Sequence, residues 1–284
     1  MQVSQLKNQF QEALKDEFPT TEIESFFHIL TEHYLDLRRI DLALNPDVEV
    51  SEEQHYKFEK ALLRLKDHEP IQHITGIAEF RGLIFKVNRN TLIPRPETEE
   101  LVEWIISDYK NSENQQLEVL DIGTGSGCIP ISLAKELKHS KVSSFDISKE
   151  ALETAKINAR ENSVDINLQL EDILKTEKLE KKYDIIVSNP PYVRELEKKD
   201  MHKNVLNYEP ASALYVKDDD PLVFYRKITE LAIGGLKKDG ALYFEINQYL
   251  GEETKTMIEE LGFEAELKKD IFGNHRLLKA LKKK

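Results

Sequence analysis

Along residues 1–70 the apolar positions repeat at helical spacing. Leu6, Phe10, Ala13 and Leu14 fall on one face, and Ile23, Phe26, Phe27, Leu30, Tyr34 and Leu35 on another. Thr20-Thr21, with Glu24 three residues after Thr21, reads as a cap on the second of these helices. A further helix is expected from an N-cap at Ser51 through Tyr56, Phe58, Ala61, Leu62 and Leu65, with Asn45-Pro46 as the break before it. The pattern then changes. Two short β-like runs flank Arg81-Gly82 and predict a hairpin within a linker over residues 71–95. Pro96, with Glu97 and Glu99 beside it, suits the first turn of a helix whose buried face is Leu101, Val102, Trp104, Ile105 and Ile106. From Leu117 strand-like and helix-like runs alternate. Strands are expected over 118–122, 141–146, 166–170, 183–188, 241–246, 263–268 and 276–280, and helices over 127–138, 149–162, 221–236 and 252–261. Alternation of this kind predicts a parallel α/β sheet, Rossmann-like in layout. The domain reading is a helical module over 1–70, the hairpin linker over 71–95 and the α/β domain over 96–284.

Composition adjusts this picture only at the edges. A 284-residue chain can bury a sizeable core, and a charged share of 32% against a hydrophobic share of 40% predicts a chain rich in exposed helix surface. The N-terminus lacks the apolar run of a secretory signal, and cytoplasm is the expected compartment. The formal net charge of −12 argues against a nucleic-acid substrate, because phosphate contacts need a basic face. The terminal run Lys282-Lys283-Lys284 reads as a solvated tail. Cys128 is the sole cysteine, which excludes an internal disulfide and a cysteine metal cluster. The histidines are scattered, and no metal site is expected.

Two stretches carry chemistry. In Val119-Leu120-Asp121-Ile122-Gly123-Thr124-Gly125-Ser126-Gly127 a strand runs into three glycines and then a helix. That loop lets a ligand approach the backbone closely. The dinucleotide fingerprint would require glycine at position 128, where Cys128 stands. Asp121 favours a ligand with a positive amino-acid end, so S-adenosylmethionine fits better than a pyrophosphate. Asp146, at the end of the next strand, is spaced to bond ribose hydroxyls, its alternative being a helix cap. Asp172 is placed to accept from an adenine amino group, with Ile173 packing on the ring, or else to cap a helix.

The second stretch is Tyr183-Asp184-Ile185-Ile186-Val187-Ser188-Asn189-Pro190-Pro191-Tyr192. A β-branched apolar run predicts a buried parallel strand. The Pro-Pro pair ends it in a stiff turn that keeps its carbonyl acceptors. The Asn189 side-chain oxygen and the Pro190 carbonyl can together hold one planar NH₂ group. Arg95 reads either as a wall of the site's mouth or as half of an ion pair with a nearby glutamate.

With these residues in hand, the chain resembles the class I S-adenosylmethionine-dependent methyltransferases. More narrowly it resembles the HemK-type glutamine methyltransferases that modify peptide chain release factors. The resemblance rests on Pro94-Arg95-Pro96-Glu97-Thr98-Glu99, the glycine loop, Phe145-Asp146, Asn189-Pro190-Pro191-Tyr192, Tyr208-Glu209-Pro210 and Gly273-Asn274-His275-Arg276. It departs from that family's pattern at His275 and at Ile173, where an aromatic is common. The resemblance implies that cofactor lies over Gly123, Thr124, Gly125, Ser126, Gly127, Asp146, Asp172, Ile173 and Asn189. It implies that Asn189, Pro190, Pro191 and Tyr192 hold the glutamine of a Gly-Gly-Gln motif in class 1 release factors, and that the helical module serves substrate recognition. The chemistry of the turn leaves two other substrates open, a ribosomal-protein glutamine and an exocyclic amine of DNA or RNA.

Overall fold

The computed structural model describes residues 1–45, 47–111 and 115–283. The expected break at Asn45-Pro46 therefore lies partly outside the described residues, as does the last lysine of the tail, Lys284. The chain divides into two compact units, residues 1–76 with 202–208, and residues 77–201 with 209–284.

The first unit is helical: α1 (Val3–Leu14), α2 (Thr20–Leu35), α3 (Arg39–Leu44), α4 (Glu52–Lys66) and α5 (Ile71–Thr75). The rings of Phe10, Phe27 and Phe58 meet at 5.6–6.0 Å between centroids and are fully buried. Aromatic pairs at this spacing add to the area they bury. Ser51 caps α4 as expected, its hydroxyl accepting from Gln54 N at 3.2 Å. The cap expected at Thr20-Thr21 does not form; the helix is entered through Pro19, which has no side-chain acceptor to offer. Ile71 and Ile74 belong to this helical core, so the first residues of the expected linker are helix, stopped at Gly76 by a left-handed backbone with φ 74°.

In the second unit β1 (Ile77–Phe80) and β2 (Leu83–Lys86) form the expected hairpin, with Arg81 and Gly82 both at positive φ as a two-residue turn demands. Phe80 and Phe85 sink into the core of this unit. The elements then run α6 (Pro96–Tyr109), β3 (Glu118–Ile122), α7 (Cys128–Glu136), β4 (Lys141–Asp146), α8 (Lys149–Glu161), β5 (Asn167–Leu170) and β6 (Tyr183–Ser188). Short pieces follow: β7 (Val193–Arg194), a 3₁₀ turn over Glu195–Asp200, α9 (Lys203–Tyr208, part of the helical unit), α10 (Ala211–Leu214) and β8 (Tyr215–Val216). The chain finishes with α11 (Val223–Gly235), β9 (Leu236–Glu245), α12 (Gly251–Glu260), β10 (Phe263–Lys269) and β11 (His275–Lys282).

Seven strands form one sheet in the order β10-β11-β9-β6-β3-β4-β5. The five strands from β9 to β5 pair in parallel. The expected parallel α/β sheet is present with one reversal, β11 running antiparallel to both β9 and β10. Strand β6 lies at the centre, with Ile185, Ile186 and Val187 inaccessible to solvent. Alternate residues along β3, β6 and β9 feed two apolar layers, one packed with α6 and α7 and the other with α11 and α12. Burial on both faces is why Ile185-Ile186-Val187 of β6 reads as an unbroken apolar run.

Candidate active site

The carboxyl ends of β3, β4 and β6 open on a cavity of about 340 Å³. The loop after β3 forms its floor. Gly123 N and Thr124 N both donate to the Phe145 carbonyl, at 2.8 and 3.2 Å, which ties the loop to β4. Gly127 sits at φ 84°, and a Cβ there would come within 2.9 Å of Ile131 Cδ1 and 3.1 Å of Ala155 Cβ, so helices α7 and α8 approach over a bare backbone. From α8, fully buried Asn158 accepts from Lys86 N at 2.7 Å. It donates to Lys86 O and to Ser126 O at 3.0 and 2.8 Å. One side chain therefore clamps the glycine loop to strand β2, a role the sequence reading did not assign.

Gly123, Thr124, Gly125, Ser126, Asp146, Asp172, Ile173, Asn189, Pro190, Pro191 and Arg95 all line this cavity. Asp146 accepts from Gly125 N at 2.9 Å through one oxygen and from Ser148 N at 2.8 Å through the other. Burial pushes its carboxyl above the usual carboxylate range, against the pull of those two amides. Asp172 accepts from Leu174 N and pairs with exposed Lys175 at 2.8 Å, which holds its carboxyl below the usual range. The helix-cap alternative is not realised, since Asp172 closes a turn over 173–175 that no helix follows, and it stays in the wall. Cys128 also lines the cavity, and burial pushes its thiol up to about 12, leaving it a neutral wall group.

Three expected residues are placed differently: Gly127 is buried outside the cavity lining, at the packing of α7 on α8, and Asp121 and Tyr192 also lie away from it. Asp121 is completely buried one layer below the cavity, where Oδ2 accepts from Ser144 Oγ and Ser144 Oγ lies 2.6 Å from Thr124 Oγ1. Its Oδ1 is buried with no hydrogen-bond partner among the described residues, and burial pushes its carboxyl up to about 7. Tyr192 is also turned from the cavity. Its ring packs on the core layer of α11 and α12, and its hydroxyl donates to Glu245 Oε1 at 3.0 Å.

Glu245 ends β9 and is 1% exposed. Thr98 Oγ1, on the first turn of α6, donates to its Oε2 at 2.6 Å. Asn189 Nδ2 in turn donates to Thr98 Oγ1 at 3.3 Å. The sequence held one signal for this group: Glu245 is a lone charge ending the apolar run Ala241-Leu242-Tyr243-Phe244. Arg95 satisfies both of its readings. It lines the cavity and pairs with Glu209, whose side chain is 1% exposed and also accepts from Ile93 N at 3.0 Å.

Five parallel strands with one reversed strand near the edge, helices on both faces and a glycine loop at the carboxyl end of β3 define a class I methyltransferase fold. The family described as Methyltransferase small domain matches residues 103–215, and the PrmC N-terminal domain matches residues 5–76. The T. thermophilus 16S rRNA N2 G1207 methyltransferase, solved with AdoMet and guanosine, superposes with a TM-score of 0.53 at 18% identity. The match covers 73% of this chain and 50% of that one, a likeness of fold. The release factor glutamine methyltransferase of Flavobacterium psychrophilum is 55% identical over 281 residues, covering 98% of this chain and 99% of its own length. That of Bacteroides thetaiotaomicron is 42% identical over 271 residues, covering 95% and 96%. This chain belongs to the release factor glutamine methyltransferase family.

Proposed function

We propose that the chain methylates the side-chain amide nitrogen of the glutamine in the Gly-Gly-Gln motif of class 1 peptide chain release factors, with S-adenosylmethionine as methyl donor. The observation that carries this reading is that the glycine loop and the Asn189-Pro190-Pro191 turn line one cavity. A donor held on the first and an amide held on the second would share a single enclosed space.

The residues present fit this cofactor. Asp146 keeps acceptor capacity on both carboxylate oxygens beyond its bonds to Gly125 and Ser148, as a ribose diol requires. Asp121, below the cavity, braces the loop through Ser144 and Thr124 instead of facing the ligand. Buried Ile173 gives an apolar edge for an adenine, with Asp172 beside it. When bound, the cofactor supplies a methyl group made electrophilic by its positive sulfur.

The chain's own task is then to hold a poor nucleophile. An amide nitrogen has its lone pair delocalised into the carbonyl. Asn189 Oδ1 and the Pro190 carbonyl would accept its two N–H groups and fix the plane of the amide. Fixing a near-attack geometry lowers the barrier by several kcal/mol. As the nitrogen gains positive charge both acceptors bind it more tightly, so the stabilisation is larger in the transition state than in the ground state. Tyr192, held by Glu245, keeps the turn in place from behind. Arg95, neutralised by Glu209, forms a wall of the mouth.

The test is methyl transfer from labelled S-adenosylmethionine to a purified class 1 release factor, beside its Gly-Gly-Gln→Gly-Gly-Ala variant and a ribosomal-protein control. Label on the factor and none on its variant is expected. Label only on the ribosomal protein would replace the substrate and leave the donor standing.

A further inference from the structure

We infer that Thr98 and Glu245 are positioning residues that set which end of the Asn189 amide faces the cavity, and so make the site choose a glutamine over a glutamate. The inference rests on the function proposed above. It starts from a count of protons. A threonine hydroxyl has one proton to give, and an ionised carboxylate has none. Thr98 Oγ1 lies 2.6 Å from Glu245 Oε2, and both residues are almost wholly buried, Thr98 at 2% exposure and Glu245 at 1%. The proton of Thr98 is therefore committed to Glu245. Glu245 has no second role that would free it, because its other oxygen accepts from Tyr192. Burial, and more weakly Glu97, raise the Glu245 carboxyl above its usual range, against the hydroxyls of Thr98 and Tyr192 and against Arg276, whose guanidinium stands 5.8 Å from the Tyr192 ring centre; the two hydroxyls meeting its two oxygens are the arrangement of a charged carboxylate.

The consequence reaches Asn189. With its proton spent, Thr98 Oγ1 meets Asn189 only as an acceptor, so Asn189 must present Nδ2 to it, as observed at 3.3 Å. The two ends of a primary amide are nearly the same size, and packing alone discriminates poorly between them. The relay removes the ambiguity by chemistry. Oδ1 is left for the cavity, beside the Pro190 carbonyl, which can only accept. A side chain entering between them must bring two N–H donors. A glutamine does so; a glutamate carboxylate would face two acceptors with nothing to give. Without the relay the Asn189 amide is free to turn over and offer its NH₂ to a carboxylate. Sites built around hydrogen bonds to one group reject an analogue lacking it strongly, because their own polar groups are then left unpaired.

The test pairs Thr98→Val, which keeps the shape and deletes the hydroxyl, with Thr98→Ser, which keeps the hydroxyl. Thr98→Ala serves as a second deletion should the valine variant not fold. Two quantities are measured: steady-state methyl transfer to the release factor, and equilibrium binding of its Gly-Gly-Gln and Gly-Gly-Glu forms without turnover. Deletion of the hydroxyl is expected to lower kcat by about 10²-fold with KM for S-adenosylmethionine little changed. It is also expected to shrink the binding preference for Gly-Gly-Gln over Gly-Gly-Glu by roughly tenfold or more. Thr98→Ser should restore both. General loosening of the fold would weaken the two forms alike and leave their ratio unmoved. A valine or alanine variant with the wild-type ratio and wild-type kcat overturns the inference alone. Wild-type protein that neither methylates the factor nor prefers its glutamine form overturns the functional reading, and the inference with it.

Discussion

Asp121 shows how far a single buried carboxylate can bias the molecule. Its unfolded reference lies near 4 and burial pushes its folded value up to about 7. Between those values the native state holds the extra proton, so stability falls as pH rises. The contribution is fully present below about pH 4 and lost as pH climbs through about 7. Asp121→Asn keeps an acceptor for Ser144 and removes the titration. Thermal unfolding scanned across that window should show a shallower loss of Tm with pH in the variant than in wild type; parallel curves would mean that Asp121 does not titrate there. Asn189 makes a complementary prediction. Asn189→Ala deletes the acceptor that orients the substrate amide, and kcat should fall by orders of magnitude with only a modest change in S-adenosylmethionine affinity, read by titration calorimetry. Near-normal turnover would remove Asn189 from the chemistry. At this scale the sequence was legible where neighbours in the chain act together. The glycines and the Asn-Pro-Pro turn are local words. Thr98 and Glu245 were not, since the bonds that join them to each other and to Asn189 span 147 and 91 positions.

Among the elements, the α8 clamp carries the strongest expectation. Asn158 serves Lys86 and Ser126 at once, and removing its side chain strands the buried Ser126 carbonyl and two part-buried backbone groups of Lys86. Each unsatisfied group costs about 1–3 kcal/mol, partly recovered by water, so Asn158→Ala should lower stability by roughly 3 kcal/mol in urea unfolding. Because Ser126 lies in the glycine loop, the same variant should weaken S-adenosylmethionine binding; an unchanged Kd would show that the loop holds its shape without the clamp. Strand β6 was legible because its apolar run Ile185-Ile186-Val187 is unbroken and ends at Ser188, whereas β3 carries Asp121 and β4 carries Ser143 and Ser144 within the strand. Strand β9 begins earlier than its apolar stretch, at Leu236, which pairs with Tyr183 ahead of an irregularity in register before Ala241 that no side-chain pattern records. The reversal of β11 was legible in principle. Only residues 270–274 separate it from β10, and a parallel neighbour needs a crossover of a dozen residues or more.

For the whole molecule, the decisive fact is that the helical unit is assembled from two stretches of chain. Residues 1–76 supply its five long and short helices, and residues 202–208 join them, with Tyr208 donating to Asp67 Oδ2 at 2.6 Å. The split matters for any attempt to isolate the methyltransferase unit. A chain shortened to begin at residue 71 retains Ile71 and Ile74, which are 5% and 7% exposed within the helical core, and strips them of that core. A chain beginning at Ile77 leaves both behind and keeps the hairpin whose Phe80 and Phe85 complete the other unit. The longer truncation should therefore be the better behaved of the two, less prone to association in light scattering at equal concentration. It should retain S-adenosylmethionine binding within a few-fold, because the cavity is built wholly from residues 90–228. If the helical unit recognises the protein substrate, kcat/KM on an intact release factor should fall by at least about tenfold, equivalent to roughly 1.4 kcal/mol, while a short Gly-Gly-Gln peptide loses little. Equal losses on factor and peptide would instead assign the helical unit to the integrity of the catalytic unit, and undiminished activity on the factor would deny it any part in recognition.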